Sequence, residues 1–76
     1  MDIKFKIDQH IGDISRNEYA IKTYTKEVNV IRWGDGLPVL DIRNWTYMHG
    51  DEVIPGKGIT LKPYEVDKLK QLLNGI

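Results

Sequence analysis

Arg43 and Trp45 are the pair in this chain best suited to holding a ligand. A guanidinium grips phosphate through several donors, and an indole offers a flat face on which an unstacked base can lie. The run Leu40-Asp41-Ile42-Arg43-Asn44-Trp45 predicts an extended strand, on which alternate side chains point to opposite faces. Val39, Asp41, Arg43 and Trp45 then share one side, expected to be open, while Leu40 and Ile42 share the other, expected to face the core. The same six residues also fit a buried tryptophan beside a surface ion pair, since tryptophans are highly buried on average. Asp41 would repel phosphate, so its expected role is to orient Arg43 or a backbone amide.

Other residues could join that surface. Lys57 lies between Gly56 and Gly58, where a backbone without side chains can approach a phosphate closely; the alternative is a solvated loop lysine. Trp33 falls on the face of Asn29 and Ile31, the binding side if Val28 and Val30 are core, and otherwise packs at a hairpin end. Arg32 points the other way and reads as a solvated charge. Lys4 and Lys6 alternate with the apolar residues of the first strand and would track a nucleic-acid backbone.

Neither His10 nor His49 stands in a motif with a nucleophile or a paired carboxylate, so no catalytic residue is expected and the chain does not read as an enzyme. There is no cysteine, and the two histidines are far apart in sequence, so neither a metal-ligand cluster nor a cofactor is expected. Eleven Lys and Arg balance eleven Asp and Glu, which removes the net positive charge usual in nucleic-acid binders. Binding then requires segregated charge, as when a dimer aligns two basic grooves. No run approaches the roughly 18 apolar residues of a membrane span, and the start Met1-Asp2-Ile3-Lys4 has no signal-peptide character. The expected location is cytoplasmic, or nuclear in a eukaryote and the host cytoplasm for a virus.

These residues need elements to position them. Asp2 to Asp8 alternates strictly, with Ile3, Phe5 and Ile7 on one face, and predicts a half-buried strand. The period slips at Gly12, marking a bulge or bend through which the strand continues to Ser15. Arg16-Asn17-Glu18 reads as a turn, and Ile21 to Trp33 as a second long strand rich in β-branched and aromatic residues. The pair Asp35-Gly36 predicts a tight hairpin into a third strand, Leu37 to Asn44. Thr46 to Gly56 reads as a loop and Gly58 to Leu61 as a short fourth strand. Pro63 fits the first turn of a helix whose apolar stripe is Val66, Leu69, Leu72, Leu73 and Ile76. Lys62, just before it, is a poor capping residue. Seventy-six residues form one domain, 1–76, too small to bury a large core, so part of that stripe is expected to meet a partner helix.

In order of elements and in two motifs the chain resembles the positive cofactor four family of transcriptional coactivators, especially its small bacterial and phage-sized members. The motifs are Asp41-Ile42-Arg43 with Trp45, and Pro55-Gly56-Lys57-Gly58-Ile59-Thr60-Leu61-Lys62-Pro63 leading into the helix. Weaker agreement runs through Lys26-Glu27-Val28-Asn29, Trp33 and Phe5 to Ser15. The resemblance implies an α+β fold: a curved four-stranded antiparallel sheet, then one C-terminal helix, paired into a homodimer through Val66, Leu69, Leu72, Leu73 and Ile76. It implies contacts to single-stranded DNA from Trp33, Arg43, Trp45 and Lys57, with Lys4 and Lys6 added by periodicity. Two departures stand out. The family's hairpin commonly carries lysines, whereas this one reads Gly34-Asp35-Gly36-Leu37-Pro38, and Trp45 sits one place closer to its arginine than the corresponding tryptophan of the eukaryotic members.

The expected function is therefore a homodimeric single-stranded DNA-binding protein with little sequence preference, serving transcription, replication or recombination. Transcription or replication proteins are further expected partners. The alternatives are a protein-interaction module docking a polymerase or peptide through the same sheet, and RNA as the ligand.

Overall fold

The computed structural model describes residues 4–76 and shows four strands followed by one helix: β1 (Phe5–Glu18), β2 (Lys22–Trp33), β3 (Val39–Met48), β4 (Val53–Leu61) and α1 (Pro63–Leu73). The expected order of elements holds. The strands form a single antiparallel meander, β1-β2-β3-β4, so each packs beside its neighbour in sequence. The expected onset of the first strand at Asp2 and Ile3 lies outside the described residues.

The boundaries differ from the sequence reading for identifiable reasons. Arg16 to Glu18 extend β1 rather than turning, and Arg16 donates through Nε and Nη2 to one Glu18 oxygen at 3.2 and 3.1 Å. The turn comes later, closed by the Tyr19 amide donating to the Lys22 carbonyl at 2.8 Å. In the second hairpin the positive φ belongs to Gly34 at +56°, so Asp35-Gly36 does not form a two-residue turn; β3 starts only after Pro38, which lacks an amide donor. β3 and β4 also run through most of the expected loop. Only residues 49–52 separate them, with Asp51 at φ +73° carrying the turn. Pro55 is accommodated because β4 is an edge strand.

β1 is the bent strand. Its pairing with β2 slips between Ile7 and Gln9, between His10 and Gly12, and between Asp13 and Ser15, where the sequence marked one bulge at Gly12. Bulges bend a strand and increase its twist. The result is a sheet that curls over its own face. Trp33 and Thr25 lie eight residues apart along β2, about 26 Å if extended. Yet Phe5, which pairs with Trp33, has its ring centroid 5.2 Å from that of Trp45, which pairs with Thr25.

The curl decides which side is interior, and it is the side expected to be open. Register places Thr23, Thr25, Glu27, Asn29 and Ile31 of β2 on one face with Trp45, Arg43, Asp41 and Val39 of β3. Ile31, Asn29 and Asp41 are fully enclosed there, and Trp45 is 1% exposed. Leu40 and Ile42, on the opposite face, are only half-buried. That outer face meets α1, which lies beside Ile59 and Leu61 of β4.

The helix begins at Pro63 as the sequence predicts. Lys62 needs no capping side chain of its own, because the Glu65 carboxylate accepts its backbone N–H at 2.9 Å and so satisfies a donor at the helix start. Val66 and Leu69 are half-buried against the sheet, and no residue of the helix is fully buried.

Candidate nucleic-acid interface

Asp41, Arg43 and Trp33 form one unit on the inner face. Arg43 donates through Nε and Nη2 to the two oxygens of Asp41 at 2.7 and 2.8 Å, and through Nη1 to the Gly56 carbonyl at 3.0 Å. Its guanidinium carbon lies 4.6 Å from the Trp33 ring centre. Asp41 does orient Arg43, as expected. The consequence is that the guanidinium is already engaged by a carboxylate, a carbonyl and an aromatic face, so it is not a free phosphate clamp.

Trp45 requires a correction. Its ring is sealed between the curled strands against Phe5, and its Nε1, like that of Trp33, is buried with no hydrogen-bond partner among the described residues. It is a core residue in this chain, not an open stacking platform. The physical reason is the pleat: one residue along a strand reverses the face on which a side chain stands. Thr46, one residue further on, pairs with Tyr24 and stands on the outer face.

The other expected contacts do not converge on Arg43. Lys6 pairs with Arg32 on the outer face, where Arg32 holds Asp8 at 2.7 Å, and Lys4 is exposed at the strand's start. Trp33 is half-buried, touching Phe5 with ring centroids 5.8 Å apart. Lys57 is exposed on β4 rather than in a loop, and Gly58 beside it faces Arg43 so closely that an added Cβ would overlap Arg43 Cβ.

Lys57 instead belongs to an outer-face groove that the sequence reading did not assemble. Asn17, Tyr24, Lys26, Asn44, Thr46 and Lys57 line it. Register explains their meeting, because Tyr24 pairs with Thr46 and Lys26 with Asn44, while Asn17 of β1 pairs with Tyr24. The groove combines two ammonium groups, two carboxamides and the partly open ring of Tyr24. Tyr19 abuts that ring edge-on at 5.6 Å, and Lys22 sits 5.0 Å from its centre. Such a strip offers cations to a phosphate backbone and an aromatic face to a base. The signal was the alternation of Lys22, Tyr24 and Lys26 along the first half of β2, before the same face turns apolar at Val28 and Val30.

A separate polar cluster occupies the inner face toward the other end. The Glu27 carboxylate accepts from Thr25 Oγ1 and Tyr47 Oη, each at 2.5 Å, and from Asn29 Nδ2 at 3.2 Å. Burial raises the Glu27 carboxyl, but these hydrogen bonds and the nearby His10 outweigh it and hold the group below its ordinary 4.5. Burial and the Glu27 charge push the Tyr47 phenol upward from 10.0. His10 and Asp13 join this cluster from β1, so ligand-capable groups do meet here although the two histidines are far apart in sequence.

The helix stripe is where the resemblance puts it but uncovered. Leu72 is 62% exposed, Leu73 54% and Ile76 wholly so, and an apolar groove bounded by Ile59, Leu61, Tyr64, Leu69 and Leu72 runs between helix and sheet. No helix among the described residues is long and apolar enough to cross a membrane.

Comparison with known families finds that the one described as Transcriptional Coactivator p15 (PC4) matches residues 21–72, which spans β2, β3, β4 and nearly all of α1. No curated protein matches the chain.

Proposed function

This chain belongs to the transcriptional coactivator p15 (PC4) family, and from that premise we propose that it is a homodimer that binds single-stranded DNA on the outer face of its sheet. The observation that carries the reading is the groove of Tyr24, Lys26, Asn44, Thr46 and Lys57. It gathers positive charge in a chain with no net charge. Lys26 and Lys57 track the phosphates, Tyr24 takes a base, and Asn17 and Asn44 supply hydrogen bonds that tolerate different sequences. Trp33 and Arg43 act behind this surface by fixing the path of β3 and β4. Lys4 and Lys6 extend the outer-face cations along β1. No catalytic step is assigned. The process served is transcription, with replication or recombination open to a protein that holds unpaired strands.

The pairing of two chains follows from the scarcity of core. Ile31 and Trp45 are the only fully buried apolar residues among those described, and the helix buries none. Docking Leu69, Leu72, Leu73 and Ile76 against a second copy supplies the missing burial and sets two grooves in one molecule.

The test is a titration of fluorescent oligo-dT and of duplex DNA across a salt series. The expected result is preference for the single strand and a steep fall of log affinity with log salt. The Lys26→Ala, Lys57→Ala double variant should lower that slope by about 1.4, two phosphate contacts at about 0.7 each. Equal affinity for duplex, or an unchanged slope in the double variant, would refute the assignment of this groove.

A further inference from the structure

The hydrogen bonds of the inner-face cluster fix a proton inventory. An ionised carboxylate only accepts, so Glu27 obliges Asn29 to present Nδ2 toward it, at 3.2 Å. That orientation turns Asn29 Oδ1 toward His10 Nδ1, 2.6 Å away, and a carbonyl oxygen at that distance requires Nδ1 to carry the hydrogen. In the neutral ring the lone pair is therefore on Nε2. Nε2 faces a second acceptor, Asp13 Oδ1, at 3.2 Å. Two acceptors so placed are met either by the doubly protonated ring, which donates from both nitrogens, or by a cation bound between a neutral Nε2 and Asp13.

The surroundings favour a metal ion as that cation. One ligand atom from each of His10, Asp13 and Glu27 lies within 4.8 Å of the other two. Glu27 Oε2 is filled by Thr25 and Tyr47, whereas Oε1 accepts one hydrogen bond, from Asn29, and lies 3.5 Å from His10 Nδ1, so that it keeps a lone pair for a further partner. Arg16, the nearest competing cation, commits Nε and Nη2 to Glu18 and reaches Asp13 only at 3.9 Å. The Asn29 contact to Nδ1 supplies the outer hydrogen bond that a metal-ligating histidine ordinarily makes. His10 and Asp13 share a face with Glu27 because bulges flank them, Asp13 opposing Glu27 and His10 opposing Asn29.

We propose that His10 Nε2, Asp13 and Glu27 bind a divalent transition-metal ion, zinc by the match of one imidazole and two carboxylates, with water completing the shell. The ion ties the bulged middle of β1 to β2. The site is on the face opposite the DNA groove and stands or falls independently of it.

The test uses the chelator-treated 76-residue chain at pH 7.5, titrated calorimetrically with zinc and, in parallel, with magnesium. One zinc per chain is expected, with magnesium giving no comparable heat because the site is not all-oxygen. His10→Gln and Asp13→Asn, checked for folding by circular dichroism, should each weaken zinc binding at least about tenfold. His49→Gln is the control; His49 lines the same cavity but is not among the three ligands, and its replacement should leave the affinity unchanged. The ring signals of His10 should shift on adding zinc. No zinc binding, or equal loss with His49→Gln, or a His10 ring that responds to protons and not to zinc, would each overturn the assignment.

Discussion

Trp45 shows how the register of a strand decides whether a side chain is core or surface. Sealed at 1% exposure against Phe5, it contributes much of the apolar core, and Trp45→Ala should destabilise the chain by about 3–5 kcal/mol in a denaturant melt. A variant that keeps its stability and loses only DNA affinity would place the indole at the ligand instead. Glu27 and Tyr47 give a second residue-level expectation. Glu27 is held below its ordinary 4.5, so it adds stability above that value that is lost as pH falls through its lowered folded value. Tyr47 is raised, so its contribution is full below 10.0 and declines as pH climbs past it. Thermal melts against pH should show a plateau between these limits, and Tyr47→Phe should flatten the alkaline arm. What the sequence made legible here was the pairing of Asp41 with Arg43 and the face they share with Trp45. It could not say which face was interior, because alternation specifies two sides and only the curl of the sheet chooses between them.

Curl belongs to the elements, and it comes from β1. The sequence marked the bulge at Gly12, but the slips beside Ile7 and Asp13 have no glycine and carry no local signal. They depend on how β1 must bend to follow β2. The ends of β3 and β4 were hidden for a related reason: Tyr47, Met48, Val53 and Ile54 sit among turn-forming residues, yet antiparallel pairing of Thr46 with Ile54 and of Tyr47 with Val53 overrides local preference. Gly58 is the element-scale test. Its Cα faces Arg43 with no room for a methyl against Arg43 Cβ or the Ile42 carbonyl, so Gly58→Ala must push β4 away from β3. Expected is a loss of about 1–3 kcal/mol, as for overpacking, together with faster amide exchange along β4. Unchanged exchange would mean the strand relaxes without separating.

At the scale of the molecule the question is what covers the helix. In a lone chain α1 touches the sheet through Val66 and Leu69 while Leu72, Leu73 and Ile76 face water, a poor arrangement for an eleven-residue helix, which is marginal without tertiary packing. If the stripe were truly solvent-exposed, Leu72→Asp with Leu73→Asp would alter stability by less than about 0.5 kcal/mol per site, the usual range for surface positions. If two copies close over it, the same charges must be buried or the pair must part. Sedimentation equilibrium should therefore find a dimer for the native chain and a monomer for the double variant. The native melting temperature should rise with protein concentration, because only the folded state associates, and that dependence should vanish in the variant. A native chain that sediments as a monomer and melts at one temperature across a hundredfold range of concentration would leave the helix stripe without a partner of its own kind.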